Sequence, residues 1–476
     1  MATILGANSL TGAYQVENSM MLETGDSSRL SKTFSSASNS NTTFTVSAWF
    51  KKTKNGATQD LISAFRSSDG LQTDIMRFGS TDDFEFYAHT TNSSGNADIQ
   101  TGRVFRDVGA WYHIVVRVDT TQGTAGNRVR IYVNGVQETV FTSSNYMNQN
   151  GTIIWGLGSG IEHTIGAVST SNFFSGYVAE VVYLDGQSLG PTSFGEFDPD
   201  TPTTWRPIDV SGLTFGNNSF YLDFKNSAEL GTDVSGNSHT FTENNLAATD
   251  QHTDTCTNNF ATMNSLDNFQ NPATFSQGNL KIATATSGGY APTVSNFGLN
   301  SGKWYAEVKY VSRSHSDNYS MIGVRSSQST NGNYLGQNTN DYAYYSGNGK
   351  TYSGGSASNY GNSYDQGETV GIYLDLDNNK LYFSKDGTLQ NSGTGVSITA
   401  PGSTSLENYF FSAMDYGNSV SNVYEWNFGG GTPTTISSGN ADDNGYGNFE
   451  YSPNITGDGA AKSFYALNSK NLAEFG

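Results

Sequence analysis

The 476-residue chain lacks features that mark several common classes of protein. It has one cysteine, Cys256, which excludes an intramolecular disulfide. Its 24 Lys+Arg are outnumbered by 43 Asp+Glu, and the net charge of -19 repels nucleic-acid phosphates and anionic membrane surfaces. It has no run of about 18 apolar residues, the length that spans a membrane. We therefore expect no direct nucleic-acid binding and no membrane insertion.

The opening residues and the composition indicate whether the protein is secreted, whether it is folded and how many domains it has. The segment "MATILGANSLTGAY" (1–14) has no basic region and no long apolar run, so Sec-type secretion is not predicted. The 54 Gly, with abundant Ser, Thr and Asn, are typical of a disordered chain, but the 13% of aromatic residues require a core. A length of 476 residues then predicts two or three folded domains.

Short segments of alternating or β-branched apolar residues, separated by Gly, Asn, Asp and Ser, predict β-strands. They lie at 44–52, 112–119, 128–141 and 177–186, and again at 303–311, 321–326, 368–377, 380–387 and 423–429. Asn134-Gly135 predicts a hairpin, because a type I′ turn needs two residues with positive φ. The best helix candidate is 467–475. The sequence therefore predicts an all-β fold: two antiparallel, jelly-roll-like β-sandwiches joined by an extended irregular connector.

Proline sets the predicted domain boundaries. Between the two strand-rich blocks the chain shows no sustained period, apart from one possible strand at 218–224, and most of its nine prolines gather there: Pro191, Pro199, Pro202, Pro207 and Pro272. We predict a first sandwich at 1–190, an extended connector at 191–274, a second sandwich at 275–430 and a C-terminal tail at 431–476.

The stretch "YLDLDNNKLYFSKDG" (373–387) has the ligand spacing of an EF-hand calcium loop, supplied by Asp375, Asp377, Asn379 and Asp386. Lys380, however, stands where that loop requires glycine. The alternating pattern also continues on both sides of the polar residues. We therefore interpret the stretch as a β-hairpin with polar turn residues and assign no metal ligand.

Four motifs in the second block resemble a SPRY domain in order and approximate spacing. They are "SGKWYAEVKYV" (301–311), "MIGV" (321–324), "ETVGIYLDLDNNKLYFSKDG" (368–387) and "WNFG" (426–429). The resemblance implies a bent β-sandwich that binds other molecules through loops at one end, without catalytic activity. It does not imply which ligand is bound.

The first block resembles a laminin-G-like, concanavalin-type jelly roll. The motifs are "TFTVSAWFKKT" (43–53), "WYHIVVRVD" (111–119), "RIYVNGVQET" (130–139) and "FSGYVAEVVYLDGQSL" (174–189). The resemblance implies a module that binds carbohydrate or protein, often with calcium at a loop rim. No motif fixes calcium ligands in this sequence, so we expect no cofactor.

The order of the two modules and the phrases that join and end them resemble virion structural proteins of marine tailed phages, of the fibre or capsid-decoration type. The resemblance implies a protein made in the host cytoplasm, released by lysis and located in the virion. It implies partners among capsid or tail proteins and a homo-oligomer, with a trimer preferred. Either terminus is a candidate anchor to the particle, and residues 1–21 are preferred over 463–476.

An enzyme on the same scaffold is the less favoured reading. In "EFDPDT" (196–201), Glu196 and Asp198 alternate, but Thr201 stands where a glycosidase would have its second glutamate. Pro199 and Pro202 also disfavour a central strand there. His113 lies in a strand pattern, and no nucleophile elbow joins a strand to a helix. We predict no enzymatic activity, with a polysaccharide depolymerase as the weakest alternative.

The candidate ligand-binding residues are tyrosines in the segment 332–367: Tyr334, Tyr342, Tyr344, Tyr345, Tyr352 and Tyr360. They are spaced by Gly, Asn and Ser, a mixture that gives binding loops large contact area at low entropic cost. The alternative is that Tyr342, Tyr344 and Tyr364 belong to strands and the others cover the sandwich edge. Host-surface glycan or protein binding and a purely structural capsid-decoration or tail-connector role therefore both remain open.

Overall fold

The computed structural model describes residues 13–66, 73–89, 95–158, 160–268, 271–285, 289–290, 292–313, 318–327, 332–417 and 421–476. Most of the predicted N-terminal anchor therefore lies outside the described residues. The described residues form two compact units, which divide between Asn258 and Asn259. No helix in the described ranges is long and apolar enough to cross a membrane.

The first unit is built from strands. They are β1 (Ser19–Leu22), β2 (Arg29–Thr33), β3 (Thr43–Lys52), β4 (Gln59–Arg66), β5 (Thr73–Phe78), β6 (Asp83–Ala88), β7 (Ala97–Val104), β8 (Trp111–Asp119), β9 (Val129–Val133), β10 (Val136–Gln137), β11 (Phe141–Asn145), β12 (Ile161–Ile165), β13 (Gly176–Asp185), β14 (Gly195–Phe197), β15 (Trp205–Pro207), β16 (Phe220–Leu222), β17 (Thr242–Asn244) and β18 (Gln251–His252). Short 3-10 turns lie at Thr24–Asp26, Ala125–Asn127, Pro191–Ser193 and Ala248–Asp250.

Sixteen of these strands form two antiparallel eight-stranded sheets, and β14 and β15 form a separate hairpin. One has the order β10-β9-β8-β3-β13-β1-β18, with β16 also paired to β13, and the other has the order β11-β7-β6-β5-β4-β12-β2-β17. Alternate side chains of the two sheets, such as Val46 and Val116 from one and Phe84 and Phe86 from the other, meet in one buried core.

The second unit has the same kind of architecture. Its elements are β19 (Thr274–Ser276), β20 (Lys281–Ala283), β21 (Gly289–Tyr290), β22 (Thr293–Val294), β23 (Lys303–Ser312), β24 (Met321–Arg325), β25 (Tyr342–Tyr345), β26 (Lys350–Ser353), β27 (Ser356–Asn359), β28 (Thr369–Asp375), β29 (Lys380–Lys385), β30 (Thr388–Leu389), β31 (Val396–Ser397), β32 (Phe410–Met414), β33 (Tyr416–Gly417), β34 (Val423–Asn427), β35 (Asn454–Gly457), β36 (Ala460–Ser463), β37 (Tyr465–Ala466) and the helix α1 (Ser469–Phe475). Two 3-10 turns lie at Asn391–Gly393 and Pro401–Ser403.

A nine-stranded sheet follows the path β19-β20-β34-β23-β28-β29-β30, with β31 also paired to β29 and β37 to β23. A six-stranded sheet has the order β22-β32-β24-β25-β26-β27. Their facing side chains include Val308 and Ile372 from the first and Ile322 and Phe411 from the second, all fully buried. The predicted all-β class with two antiparallel sandwiches is confirmed.

The segment 191–258, which the sequence places in an extended connector, adds strands to the first unit. Phe220–Leu222 pairs with β13, Thr242–Asn244 with β2 and Gln251–His252 with β1. The two units divide between Asn258 and Asn259, so residues 259–268 and 271–274 pack with the second unit.

Local predictions from turn and cap chemistry are confirmed. Asn134 and Gly135 have φ of 46° and 79° between β9 and β10, as a type I′ turn requires. Asp375 and Lys380 pair across the predicted hairpin at 373–387. The predicted helix forms as α1, where the Asn468 side chain caps the first turn by accepting from the Asn471 amide.

Candidate functional site

The six-stranded sheet of the second unit has one face in the core and one face outside it. In β24, Ile322 and Val324 point into the core, whereas Met321 points the opposite way. Met321 packs with Leu335, Ala343 and Met414 in a small separate cluster. Tyrosine side chains pack against this cluster, which makes the outer face the place to look for a binding surface.

Half of the predicted tyrosines are not on that face. Tyr342, Tyr344 and Tyr360 are buried in the core, with exposed fractions of 8%, 0% and 8%. The reason is the two-residue period of β25, which directs Tyr342 and Tyr344 inward with Tyr364 beside them. The prediction that these three rings contact a ligand is therefore corrected, because a buried ring has no free face.

The other three predicted tyrosines belong to a continuous aromatic surface. Tyr334, Tyr345 and Tyr352 are half-buried against the Met321 cluster. The ring of Tyr352 lies 5.6 Å from that of Tyr345 and 6.1 Å from that of Tyr334, in both cases edge to face. This geometry is the favoured one for aromatic pairs.

Three tyrosines from outside the predicted segment extend the surface. The ring of Tyr290 lies 5.7 Å from Tyr334 and 5.0 Å from Tyr416, and Tyr416 lies 6.0 Å from Tyr319. We call the six residues Tyr319, Tyr416, Tyr290, Tyr334, Tyr352 and Tyr345 the tyrosine row. Tyr290 and Tyr416 are brought together by pairing of β21 with β33.

Burial raises the pKa of Tyr290, and its neighbours Tyr334 and Tyr416 raise that pKa further. Its hydroxyl is therefore neutral at physiological pH. The row presents ring edges and hydroxyl groups, with 38% of Tyr416 exposed.

A polar cavity of roughly 460 Å³ adjoins one end of the row, and Tyr345 belongs to both. Two ion pairs line it, Arg313–Asp365 at 3.3 Å and Lys385–Glu368 at 2.8 Å. The cavity therefore presents charged and hydrogen-bonding groups of both signs beside an aromatic ring.

Asn318, which lines this cavity, has a buried side-chain oxygen without a donor among the described residues. Its Nδ2 donates to the Tyr364 carbonyl at 2.7 Å, whereas its buried Oδ1 has no donor within the described part of the chain. Aromatic rings beside hydrogen-bonding groups are the arrangement by which an apolar ligand face is stacked and polar substituents are oriented.

Two regions of the chain match protein-family models. Residues 25–187 match the model described as the concanavalin A-like lectin/glucanases superfamily. Residues 303–421, which contain most of the tyrosine row, match the SPRY domain. The chain carries a concanavalin-like domain followed by a SPRY domain. No curated protein matches the chain.

Solved structures resemble parts of the chain at low sequence identity and low TM-score. The SPRY domain of human HERC1 is 17% identical, with 31% of this chain and 87% of that chain covered and a TM-score of 0.25. A native heptameric SAP-like pentraxin from Limulus polyphemus is 17% identical, covering 37% and 80%, with a TM-score of 0.28. A Bacteroides ovatus protein with a provisional description as carbohydrate-binding is 15% identical, covering 48% and 59%, with a TM-score of 0.32. Likenesses at this level say nothing about the ligand.

The concanavalin-like domain has a polar row of its own. Strand pairing places Asp60, Arg77, Glu85, Gln100 and Ser143 side by side across five neighbouring strands. Arg77 binds Glu85 through two hydrogen bonds of 2.7 and 3.0 Å. This row contains no aromatic ring, so the tyrosine row of the SPRY domain is the stronger candidate.

The residues weighed for catalysis have structural partners. Arg206 forms ion pairs with Glu196 at 2.7 Å and Asp198 at 3.0 Å across the β14–β15 hairpin. His113 is buried, accepts from the Trp205 indole at 2.9 Å and lies 2.8 Å from the Ser47 hydroxyl. Burial lowers the pKa of His113 to about 3, which keeps the ring neutral.

The carboxylates of the calcium-like stretch bind protein groups. Asp375 accepts from Asn378 and from Lys462, and Asp377 accepts from the Gly302 amide at 3.0 Å. Asp386 accepts from the Thr369 amide at 2.9 Å. Across the described ranges, no three His, Cys, Asp or Glu side chains are grouped to hold a metal ion.

Proposed function

We propose that this protein is a non-catalytic virion structural protein of the fibre type that binds a host-surface glycan through the tyrosine row. The single observation that carries the glycan-binding part is the row itself. Six half-buried or exposed rings lie in one row, and Tyr345 at its end also lines a polar cavity of roughly 460 Å³. A sugar has an apolar face that stacks on a ring and hydroxyl groups that hydrogen-bond to charged and amide side chains.

The virion part of the proposal is supported by the sequence. The architecture and linking phrases resemble marine phage virion proteins, and the net charge of -19 keeps an Asn/Ser/Thr/Gly-rich surface soluble in salt water. The proposed partners are capsid or tail proteins and further copies of this chain, preferably as a trimer. The proposed location is the virion, reached from the host cytoplasm by lysis, and no cofactor is required.

Absence of catalysis is supported by the partners of the candidate groups. Glu196 and Asp198 are held by one arginine, and His113 is neutral and enclosed by an indole and a hydroxyl. A depolymerase that used Glu196 and Asp198 would need both carboxyl groups free in one cleft, and both are instead paired with Arg206.

The test is binding of the labelled full-length protein to host cells and to their extracted surface polysaccharides. We expect saturable binding that the Tyr345→Ala, Tyr352→Ala double variant loses. Tyr446→Ala is the matched control, since Tyr446 is a partly buried tyrosine packed on a different cluster of the same domain. Mass spectrometry of purified particles tests the virion assignment separately.

Incorporation into particles without binding to cells would replace this proposal with the purely structural role, a decoration or connector protein. Equal loss of binding in the Tyr446→Ala control would show that the effect is one of folding. Absence of the protein from purified particles would contradict the virion assignment and leave the binding result standing.

A further inference from the structure

The outer face of the nine-stranded sheet carries a second cavity, of roughly 210 Å³. Its floor is formed by Glu307 and Lys309 of β23, Thr369 of β28 and Glu425 of β34. Its walls come from the C-terminal segment, which contributes Thr432, Thr434, Thr435, Ile436, Ser437, Glu450 and Tyr451. The segment predicted as a tail therefore completes a concave site.

Glu307 fixes the wall of this cavity in place. Its Oε1 accepts from the Tyr451 amide at 2.7 Å and the Tyr305 hydroxyl at 2.9 Å. Its Oε2 accepts from the Glu450 amide at 3.0 Å and from Asn427 at 3.2 Å. Two of these four donors, the amides of Glu450 and Tyr451, belong to the C-terminal segment and hold it against the sheet, so the cavity is preformed.

The remaining carboxylates of the cavity, Glu425 and Glu450, also have ion-pair or hydrogen-bond partners. Glu425 binds Lys281 at 3.0 Å and accepts from the Thr434 hydroxyl. Glu450 accepts from the amide and hydroxyl of Ser437 at 2.7 and 2.6 Å, and these bonds lower the pKa of Glu450. These groups keep lone pairs that can accept further hydrogen bonds.

Lys309 places a positively charged ammonium group in the lining of the cavity. It is half-buried and lies between Thr369 and Glu425 in the strand pairing. Within the described residues it has no carboxylate at ion-pair distance, whereas Lys281, on the far side of Glu425, does. An ammonium that lines a cavity and has unused donors is a binding group for oxygen acceptors.

We propose that this cavity binds a neutral polyhydroxylated molecule of monosaccharide size. The ammonium of Lys309 and hydroxyls of the Thr and Ser side chains donate to ligand oxygens, and Glu425 and Glu450 accept from ligand hydroxyls. Glu425 and Glu450 repel anionic ligands, and the ammonium donors of Lys309 bind oxygen acceptors, which favours a neutral ligand that carries hydroxyl groups. This site is on the nine-stranded sheet and does not depend on the tyrosine row.

The experiment is saturation-transfer NMR of the full-length protein with D-glucose, D-galactose and N-acetyl-D-glucosamine as separate probes, titrated through about 1 mM, the range of weak ligands. We expect saturable signal from at least one sugar and about tenfold weaker binding in Lys309→Met, because a charge-assisted donor is lost. Lys303→Met is the matched control, on the same strand and about 20 Å away at six residues.

The Tyr345→Ala, Tyr352→Ala variant separates this site from the tyrosine row. Retention of the sugar signal in that variant and its loss in Lys309→Met is the expected pattern. Three outcomes would overturn the inference: no signal from any of the three sugars, equal binding by Lys309→Met and the wild type, or loss of the signal in the tyrosine variant.

Discussion

The two domains both place aromatic side chains on the outer face of a sheet, but that face is buried in one domain and partly exposed in the other. In the concanavalin-like domain Trp49, Trp111 and Tyr177 belong to one buried cluster with Trp205 of the β14–β15 hairpin, and Trp205 is only 6% exposed. In the SPRY domain the tyrosine row stays half-exposed. The first face is an internal interface, whereas the second is available to a ligand.

The chemistry of the two aromatic types fits this difference. The indole of Trp205 donates to His113 and stacks near it, so its N–H is satisfied inside the protein. Tyrosine hydroxyls at a surface are satisfied by water or by a ligand. Aromatic content alone therefore does not mark a binding site; the exposure of the rings does.

Removal of the Trp205 side chain should have the largest effect on stability. Trp205→Ala is expected to lower the unfolding free energy of the concanavalin-like domain by about 3–5 kcal/mol, the usual cost of deleting a buried large aromatic ring. Denaturant unfolding followed by circular dichroism, with the two domains fitted as separate transitions, measures it. A cost no larger than that of Tyr352→Ala in the SPRY domain would break the comparison.

The Trp205 ring also restricts the β9–β10 hairpin, which it contacts at Gly135. A Cβ at Gly135 would lie 2.3 Å from the Trp205 ring, and the φ of Gly135 is +79°. Gly135→Ala is therefore expected to cost about 1–3 kcal/mol of unfolding free energy. Gly123→Ala is the control, since nothing lies within 4 Å of a Cβ there. Equal stability of the two variants in the same unfolding assay would show that the contact between Trp205 and Gly135 does not restrict the hairpin.

A buried glutamate in each domain sharpens the comparison. Glu180 accepts from the Tyr221 hydroxyl at 2.6 Å and the Tyr14 hydroxyl at 3.4 Å, but its Oε1 has no donor among the described residues. Both oxygens of Glu307 have donors. At pH 8, Glu307→Gln should therefore cost about 1–3 kcal/mol, because an amide NH₂ faces two donors. Glu180→Gln should cost less in the same unfolding measurement, and the reverse order would contradict this account.

The pH dependence of stability follows from the same two residues. Burial raises the pKa of Glu180 and of Glu307 to about 7, from 4.5. The unfolded chain therefore loses these protons first as pH rises, so each group's contribution to stability is present below pH 4.5 and lost between 4.5 and 7. Glu180→Gln should flatten that part of the profile of unfolding free energy against pH. An unchanged slope would mean that Glu180 does not titrate in this range.

The sequence predicts what depends on local period and turn chemistry. Asn134-Gly135 and the hairpin at 373–387 are set by residues adjacent in the chain, and both form as predicted. The choice among tyrosines depends on which face of β25 is buried. Tyr345 lies on the outer surface while its neighbour Tyr344 is fully buried. The Gly/Asn/Tyr-rich segment is compatible with a strand and with a binding loop, so the sequence leaves Tyr342 and Tyr344 open between the two.

The rest of the site depends on pairings between distant residues. Tyr290 joins Tyr416 through β21 and β33, and no local signal in either segment marks it. The cavity beside Lys309 is closed by a C-terminal segment whose sequence is Gly/Asn/Asp-rich and has no strand period. Its position is set by the buried carboxylate of Glu307, which the sequence alone places only as one residue of a strand.

The most direct test of the account is the dissociation constant of a host-surface polysaccharide, measured for three proteins. They are the wild type, the double variant Tyr345→Ala, Tyr352→Ala and the double variant Tyr345→Phe, Tyr352→Phe. If the rings stack on sugar faces, the alanine variant should bind about tenfold more weakly or worse, since two aromatic contacts of about 0.5–1.5 kcal/mol each are lost. The phenylalanine variant, which keeps both rings, should bind almost as the wild type does. Wild-type affinity in the alanine variant would contradict recognition through the tyrosine row.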